Sequence, residues 1–276
     1  MQRFTTRTVV ITGAGSGLGK GLALEFARLG WNVAVCDIIN ERAVETARLV
    51  NAAGGRALVC HYDVTRPGDV ESLAINVIKT WGSVDILINN AGIPVAGYME
   101  KIPLEDWRFE IDAMLMSVIY GCRTFIPIFK RQGRGHIVNT ASAAGIVCLP
   151  EYGPYSATKA AVIALSETLY AELRKSRIGI TVVCPTWFKT NLLDQGRCTD
   201  ERQLTMSNAW FDKFSFGTVE TVSRSTIKAV RKNRLYVLPQ PDAKLAWIGK
   251  RLSPSLFQRG KAFLYASGLY DKILGI

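Results

Sequence analysis

Thr8-Val9-Val10-Ile11-Thr12-Gly13-Ala14-Gly15-Ser16-Gly17-Leu18-Gly19 decides the fold. Its first half is apolar and β-branched, the composition of a strand covered on both faces. The run stops in glycines, and a helical pattern follows, with Leu22, Leu24, Phe26, Ala27 and Leu29 apolar and Gly30 at its end. A strand, a glycine loop and a helix together form a cradle for phosphate. The glycines permit a tight turn and close backbone approach, and the helix N-terminus presents free N–H groups to a pyrophosphate. Gly13, Ser16, Gly17, Leu18 and Gly19 are therefore candidate dinucleotide contacts. The glycine spacing is TGxxxGxG, which differs from the common GxGxxG.

Working outward, the next apolar run, Asn32-Val33-Ala34-Val35-Cys36, ends at Asp37. An acid about twenty residues past such a loop binds the adenosine ribose hydroxyls. A carboxylate there accepts both hydroxyls of NAD and repels the extra phosphate of NADP, so NAD is the expected cofactor and NADP the less favoured one. Lys20 and Arg42 are nearby cations that oppose this preference. Strand-like runs recur near residues 7–13, 32–37, 57–63, 85–90, 135–141, 179–184 and 235–239, with amphipathic helical stretches between them. This alternation predicts an α/β fold: a Rossmann-like, doubly wound, mainly parallel seven-stranded sheet with helices on both faces. At 276 residues the chain is long enough for one such domain with a large core.

Tyr155 and Lys159 stand four apart in Tyr155-Ser156-Ala157-Thr158-Lys159, a helical stretch. That spacing sets a phenol and an ammonium on one face, one turn apart. A cation beside a tyrosine favours the phenolate and lowers the phenol's pKa, so the pair can exchange a proton with an alcohol or a carbonyl.

Taken together these residues resemble the short-chain dehydrogenase/reductase family over about residues 6 to 240. Its marks occur in order: Thr12-Gly13 through Gly19, Asp37, Asp63-Val64, Asn89-Asn90-Ala91-Gly92, Ser142, Tyr155 with Lys159, Pro185 and Thr190. Ser142 precedes Tyr155 by the family's usual interval. The resemblance implies hydride transfer between NAD and an alcohol or carbonyl, with Ser142, Tyr155 and Lys159 as the catalytic residues. It implies that Asp63 and Val64 contact the adenine, and that Asn90, Ala91 and Gly92 run beside the adenosine ribose. Pro185, Phe188 and Thr190 are expected to clasp the nicotinamide carboxamide, and Lys159 to bind the nicotinamide ribose. Two departures stand out. In the family's WxxxxxxNxxG pattern, Trp107 leads to Met114 instead of asparagine, with Ser117 at the glycine. Pro185-Thr186-Trp187 replaces the usual Pro-Gly.

A lid is expected at about 186–217, carrying Trp187, Phe188, Leu192, Leu193, Trp210, Phe211, Phe214 and Phe216. It suits an apolar alcohol, ketone or aldehyde, such as a steroid, terpenoid or acyl chain. The division is residues 1–240 as the cofactor-binding domain with its lid, and 241–276 as a basic, aromatic extension. From Arg224 onward eleven Lys and Arg face two Asp, on a chain of net charge +11. Such a tail packs on its own subunit, on a partner in a homodimer or homotetramer, or on an anionic membrane surface. No nucleic-acid recognition motif is present. The six cysteines are scattered and His61 and His136 are isolated, so no metal site is expected. No apolar stretch approaches the roughly 20 residues that span a bilayer, and a cytoplasmic location is expected. Two alternatives to an active enzyme remain: a weakened NAD-binding sensor, suggested by Met114, and a peripheral membrane scaffold, suggested by the tail.

Overall fold

A computed structural model describes residues 4–188 and 196–275. β1 (Thr8–Thr12) leads into α1 (Gly17–Ala27), β2 (Asn32–Asp37) into α2 (Asn40–Ala52), and β3 (Arg56–His61) into α3 (Pro67–Trp81). β4 (Ile86–Asn89) is followed by the short β5 (Val95–Ala96). α4 (Leu104–Ile111) then continues through a π-helical turn (Asp112–Met116) into α5 (Ser117–Gln132). β6 (Gly135–Thr140) passes through α6 (Ala144–Val147) to α7 (Gly153–Glu172). β7 (Ile178–Val183) is followed by β8 (Arg197–Cys198), α8 (Glu201–Phe214) and α9 (Val219–Lys232). β9 (Tyr236–Val237) precedes α10 (Pro241–Leu252), α11 (Pro254–Ala266) and α12 (Leu269–Leu274).

Seven strands form one parallel sheet in the order β3-β2-β1-β4-β6-β7-β9. The sheet grows one way from β1 to β3 and the other way from β4 onward. That reversal opens a crevice at the carboxyl ends of β1 and β4, where ligands bind in such sheets. One face is covered by α1, α2 and α9 through Leu22, Phe26, Val50, Val222 and Val230; the other by α3, α5 and α7 through Leu73, Val77, Phe125, Phe129 and Val162. Burial on both faces explains why the strands are continuous apolar runs.

The seven expected strands are present, with trimmed ends. β1 stops at Thr12 because Gly13 turns to φ +61°. β9 shrinks to two residues because it sits at the sheet edge, pairing only Tyr236 and Val237 with β7. The expectation that no apolar stretch is long enough to span a bilayer needs correction. Residues 104–132 form one continuous helical segment that is long and apolar enough by length and composition. It belongs to the domain: α5 packs on α3 and β6, and α4 on α7.

The lid region is tied down by a two-residue parallel ladder between β5 and β8. α8 starts with a capping box of Asp200 and Gln203. Thr190, Leu192 and Leu193 lie outside the described residues. The extension packs on its own subunit. Lys250 donates to the Ile146 carbonyl, and Lys261 to those of Val147 (2.9 Å) and Cys148. Both cations thus cap the C-terminal end of α6. Lys213 reaches the carbonyls of Ile273 (3.2 Å) and Leu274 (2.6 Å), joining α8 to α12.

Candidate active site

Gly13 and Gly19 of the loop have no space for a side chain. A Cβ on Gly13 would stand 2.8 Å from the Ala91 Cα, and one on Gly19 would stand 2.7 Å from Asn90 Nδ2. Gly17 takes φ +49°, which glycine adopts without strain. Asn90 fixes the loop: its Nδ2 donates to the carbonyls of Thr12 (3.0 Å) and Gly13 (3.3 Å), and its own N–H donates to Thr12 Oγ1 (2.9 Å). Ser16 precedes α1 in an extended conformation and makes no capping bond, which leaves the first N–H groups of the helix open.

Asp37 is held at the end of β2 by two backbone donors, Gly15 N to Oδ2 (2.8 Å) and Ile39 N to Oδ1 (2.9 Å). Lys20 is turned away and paired with Glu45 at 2.9 Å, whereas Arg42 lines the cleft beside Asp37. A cleft of about 390 Å³ runs along the carboxyl ends of the strands. Gly13, Ser16, Gly17, Leu18, Asp37, Asp63, Val64, Asn90, Ala91 and Gly92 line it toward the loop, and Ser142, Tyr155, Lys159, Pro185 and Phe188 line it toward the lid. Every described residue expected to touch cofactor therefore faces one cleft, except Gly19, which lies at its back against Gly13 and Asn90. The Asp63 carboxylate is also engaged by Thr65, through N–H (2.9 Å) and hydroxyl (2.7 Å).

Ser142 follows β6, where the Ala143 N–H donates to the Pro185 carbonyl at 2.8 Å and locks the two strand ends together. Ser142 Oγ accepts from Ala144 N at 3.1 Å, donates to the Pro185 carbonyl at 3.4 Å, and lines the same cleft as Tyr155. Lys159 donates to the Thr140 carbonyl at 2.9 Å, and its ammonium lies 5.7 Å from the Tyr155 ring centroid. The expectation that Lys159 lowers the Tyr155 pKa does not hold for the protein alone. Burial pushes the phenol up to about 12, and the neighbouring Ser142 hydroxyl offsets only part of this. Burial also pulls the Lys159 ammonium below the usual lysine range.

One residue of this site has no counterpart in the sequence reading. Glu110 on α4 is fully buried, and burial pushes its carboxyl above the usual range, with Lys159 pulling the other way. Oε1 lies 3.2 Å from the Thr158 hydroxyl, and Oε2 has no hydrogen-bond partner among the described residues. Met114, four residues further on, is 1% exposed and lines the cleft against Gly92. The only signal in the sequence is an acid at i and a thioether at i+4 on a core-facing helix.

A second cavity of about 230 Å³ adjoins the first and shares Ser142, Tyr155, Thr186 and Trp187 with it. Trp187 stacks on Trp210 (centroids 6.1 Å, 11° between planes) and meets Phe211 edge-on at 4.8 Å. Tyr270 of the extension packs on Trp210 at 5.5 Å. Phe214 supports Trp210, and the half-exposed Phe216 meets Phe214 edge-on at 6.5 Å, at the outer end of the aromatic wall.

A family model described as short chain dehydrogenase matches residues 7–200. An uncharacterized oxidoreductase of Thermotoga maritima is 36% identical over 182 residues, 66% of this chain and 72% of that one. The short-chain dehydrogenase/reductase family 16C member 6 of Bos taurus is 32% identical over 238 residues, 85% of this chain and 72% of that one. Among solved structures, a short chain dehydrogenase/reductase from Burkholderia phymatum in complex with NAD superposes with a TM-score of 0.84. It is 30% identical and covers 91% of this chain and 94% of its own.

Proposed function

The chain belongs to the short-chain dehydrogenase/reductase family of oxidoreductases, and from that premise we propose that it moves a hydride between NAD and an apolar secondary alcohol, its ketone, or an aldehyde. The observation that carries this reading is the meeting of Ser142, Tyr155 and Lys159 where the glycine-loop cleft joins an aromatic-walled cavity. The cleft fits a dinucleotide: a close-packed glycine loop at a helix N-terminus for the pyrophosphate, and the Asp37 carboxylate for the ribose hydroxyls. When bound, NAD supplies the hydride acceptor. Ser142 donates a hydrogen bond to the substrate oxygen and holds it against Tyr155. In oxidation Tyr155 takes the hydroxyl proton; in reduction it returns one to the developing alkoxide. Lys159 stands 5.7 Å from the Tyr155 ring centroid, placed to bind the nicotinamide ribose, and Glu110 opposes the burial that would strip its proton.

For assembly, the reading is a second copy of this chain lying over the outer face of α10 and α11. There Leu245, Leu252, Leu256 and Phe263 are at least two-thirds exposed. A membrane is the weaker occupant, because Lys250 and Lys261 turn inward to the α6 carbonyls.

Tyr155→Phe keeps the ring and removes the proton. Turnover in a panel of secondary alcohols with NAD should fall by about 10²–10⁴-fold, the range for loss of a general acid–base group, with NAD affinity retained. Substantial turnover in that variant contradicts the assignment.

A further inference from the structure

Ser142 and Tyr155 bracket residues 143–154, a stretch of chain bonded to both. Ser142 Oγ accepts from Ala144 N at 3.1 Å, and the Ser142 carbonyl accepts from Gly145 N at 3.1 Å. Ser142 is therefore fixed to the first turn of α6. At the other end Leu149 N donates to Ser156 Oγ at 3.2 Å, and Ser156 N donates to the Tyr152 carbonyl at 2.8 Å, beside Tyr155. Between these anchors Cys148 takes φ +60° and Glu151 φ +61°. A residue with a side chain adopts that left-handed conformation at a cost, and keeps it where its surroundings over-determine it.

The surroundings that do so come from the extension. Lys250 of α10 donates to the Ile146 carbonyl and lies 3.7 Å from Cys148 Sγ. Lys261 of α11 donates to the carbonyls of Val147, at 2.9 Å, and Cys148. Tyr265, one turn further along α11, donates to Glu151 at 2.8 Å. Three consecutive carbonyls are thus held by two ammoniums that repel each other. Burial lowers the Lys261 pKa, and the Lys250 charge adds to the lowering. Charge-assisted bonds of this kind are roughly twice as strong as neutral ones.

We propose that Lys250 and Lys261 are positioning residues for catalysis: by clamping the carbonyl end of α6, they set where the Ser142 hydroxyl stands relative to Tyr155. This rests on the reading above, in which Ser142 holds the substrate oxygen. Neither lysine lines the cleft or the second cavity. Their effect passes through the chain between the two catalytic residues. The extension then belongs to the catalytic apparatus, because it fixes the geometry of a group that it does not touch. A displacement of about 1 Å in such a group costs on the order of 10²-fold in rate.

The test is a double-mutant cycle on the full chain. Lys250→Met and Lys261→Met remove the charge and keep a long side chain. Made together, they should lower kcat for alcohol oxidation by about ten- to a hundredfold. NAD affinity should stay within about twofold, the sign of an intact cofactor cleft. In a Ser142→Ala background the same pair should cost less than about twofold, because the hydroxyl they place is gone. A wild-type kcat in the pair overturns the proposal. So does an undiminished cost in the Ser142→Ala background, which would show that the lysines act elsewhere. Hydrogen exchange supplies a readout without turnover. The backbone amides of residues 143–152 should lose protection in the pair, while those of residues 13–19 keep theirs. Unchanged protection in 143–152 also overturns the clamp. If the wild type oxidises no alcohol, the hydride-transfer reading falls, and the exchange result still decides whether the lysines hold this segment.

Discussion

Lys159 is buried among groups that pull its charge in opposite directions. Burial lowers its pKa, and Glu110 opposes that shift. The sign of the consequence follows. A lysine with a depressed pKa loses its charge as pH rises through a value below the usual lysine range, and removing the Glu110 carboxylate lets the loss begin earlier. In Glu110→Gln the alkaline decline of kcat for alcohol oxidation should therefore start at lower pH than in the wild type, with KM little changed. An unaltered pH profile would remove Glu110 from the account. Asp37 gives a second prediction. Two backbone donors aim its carboxylate at the cleft, and hydrogen bonds to a charged group are worth about 1.5–3 kcal/mol. Asp37→Ser should lower NAD affinity by about tenfold or more and bring NADP, helped by Arg42, toward parity in a fluorescence titration. A wild type that binds NADP more tightly would reverse the roles of Asp37 and Arg42. Ser142, Tyr155 and Lys159 were legible because their spacing falls on one helix and one strand end. Glu110 was not: it lies 49 residues before Lys159, and only the packing of α4 on α7 brings them together.

At the scale of elements, the segment between Ser142 and Tyr155 is the junction on which the site depends. Glu151 sits there at φ +61°, an uncommon conformation for a residue with a side chain. Its buried carboxylate accepts from Arg202 (2.5 Å) and Gln203 (2.8 Å) of α8 and from the Tyr265 hydroxyl (2.8 Å) of α11. Burial pushes the Glu151 carboxyl up, and these bonds outweigh it, leaving the group below its usual range. One side chain therefore joins the lid, the extension and the catalytic helix. Glu151→Ala leaves three donors without their acceptor. It should raise KM for apolar alcohols several-fold while NAD affinity stays within about twofold, because no donor to Glu151 touches the glycine loop. A matching loss of NAD affinity would show that the junction supports the whole cleft. The strands of this domain were readable because each is an apolar run of the length a covered parallel strand requires. The long-range bonds of Glu151 left no pattern in the sequence, since their partners lie 51 to 114 residues away.

For the whole molecule, the extension is a wall of the substrate cavity as well as a basic tail. Its basic and aromatic composition was evident in the sequence. Its placement was not, because composition does not say which side of a helix turns inward. Deleting residues 241–276 removes Asp242 and Tyr270 and bares the carbonyls at the end of α6. Turnover of apolar alcohols should drop more than tenfold, a loss comparable to opening a water-excluding pocket, while NAD still binds. If a second copy covers Leu245, Leu252, Leu256 and Phe263, the wild type should also size as an oligomer at low and high salt alike, since apolar burial is little screened. Salt-sensitive co-sedimentation with anionic vesicles would instead assign that face to a membrane. The central claim is that this fold transfers a hydride with Tyr155 as the proton-exchanging group, and isotope transfer tests it directly. Alcohols deuterated at the carbinol carbon are incubated with the enzyme and NAD, and the reduced dinucleotide is weighed by mass spectrometry. The wild type should yield NADH one mass unit heavier, and Tyr155→Phe, still binding NAD, should yield none above background. Label transfer by Tyr155→Phe at the wild-type rate, or no transfer by the wild type from any alcohol of the panel, would contradict the account.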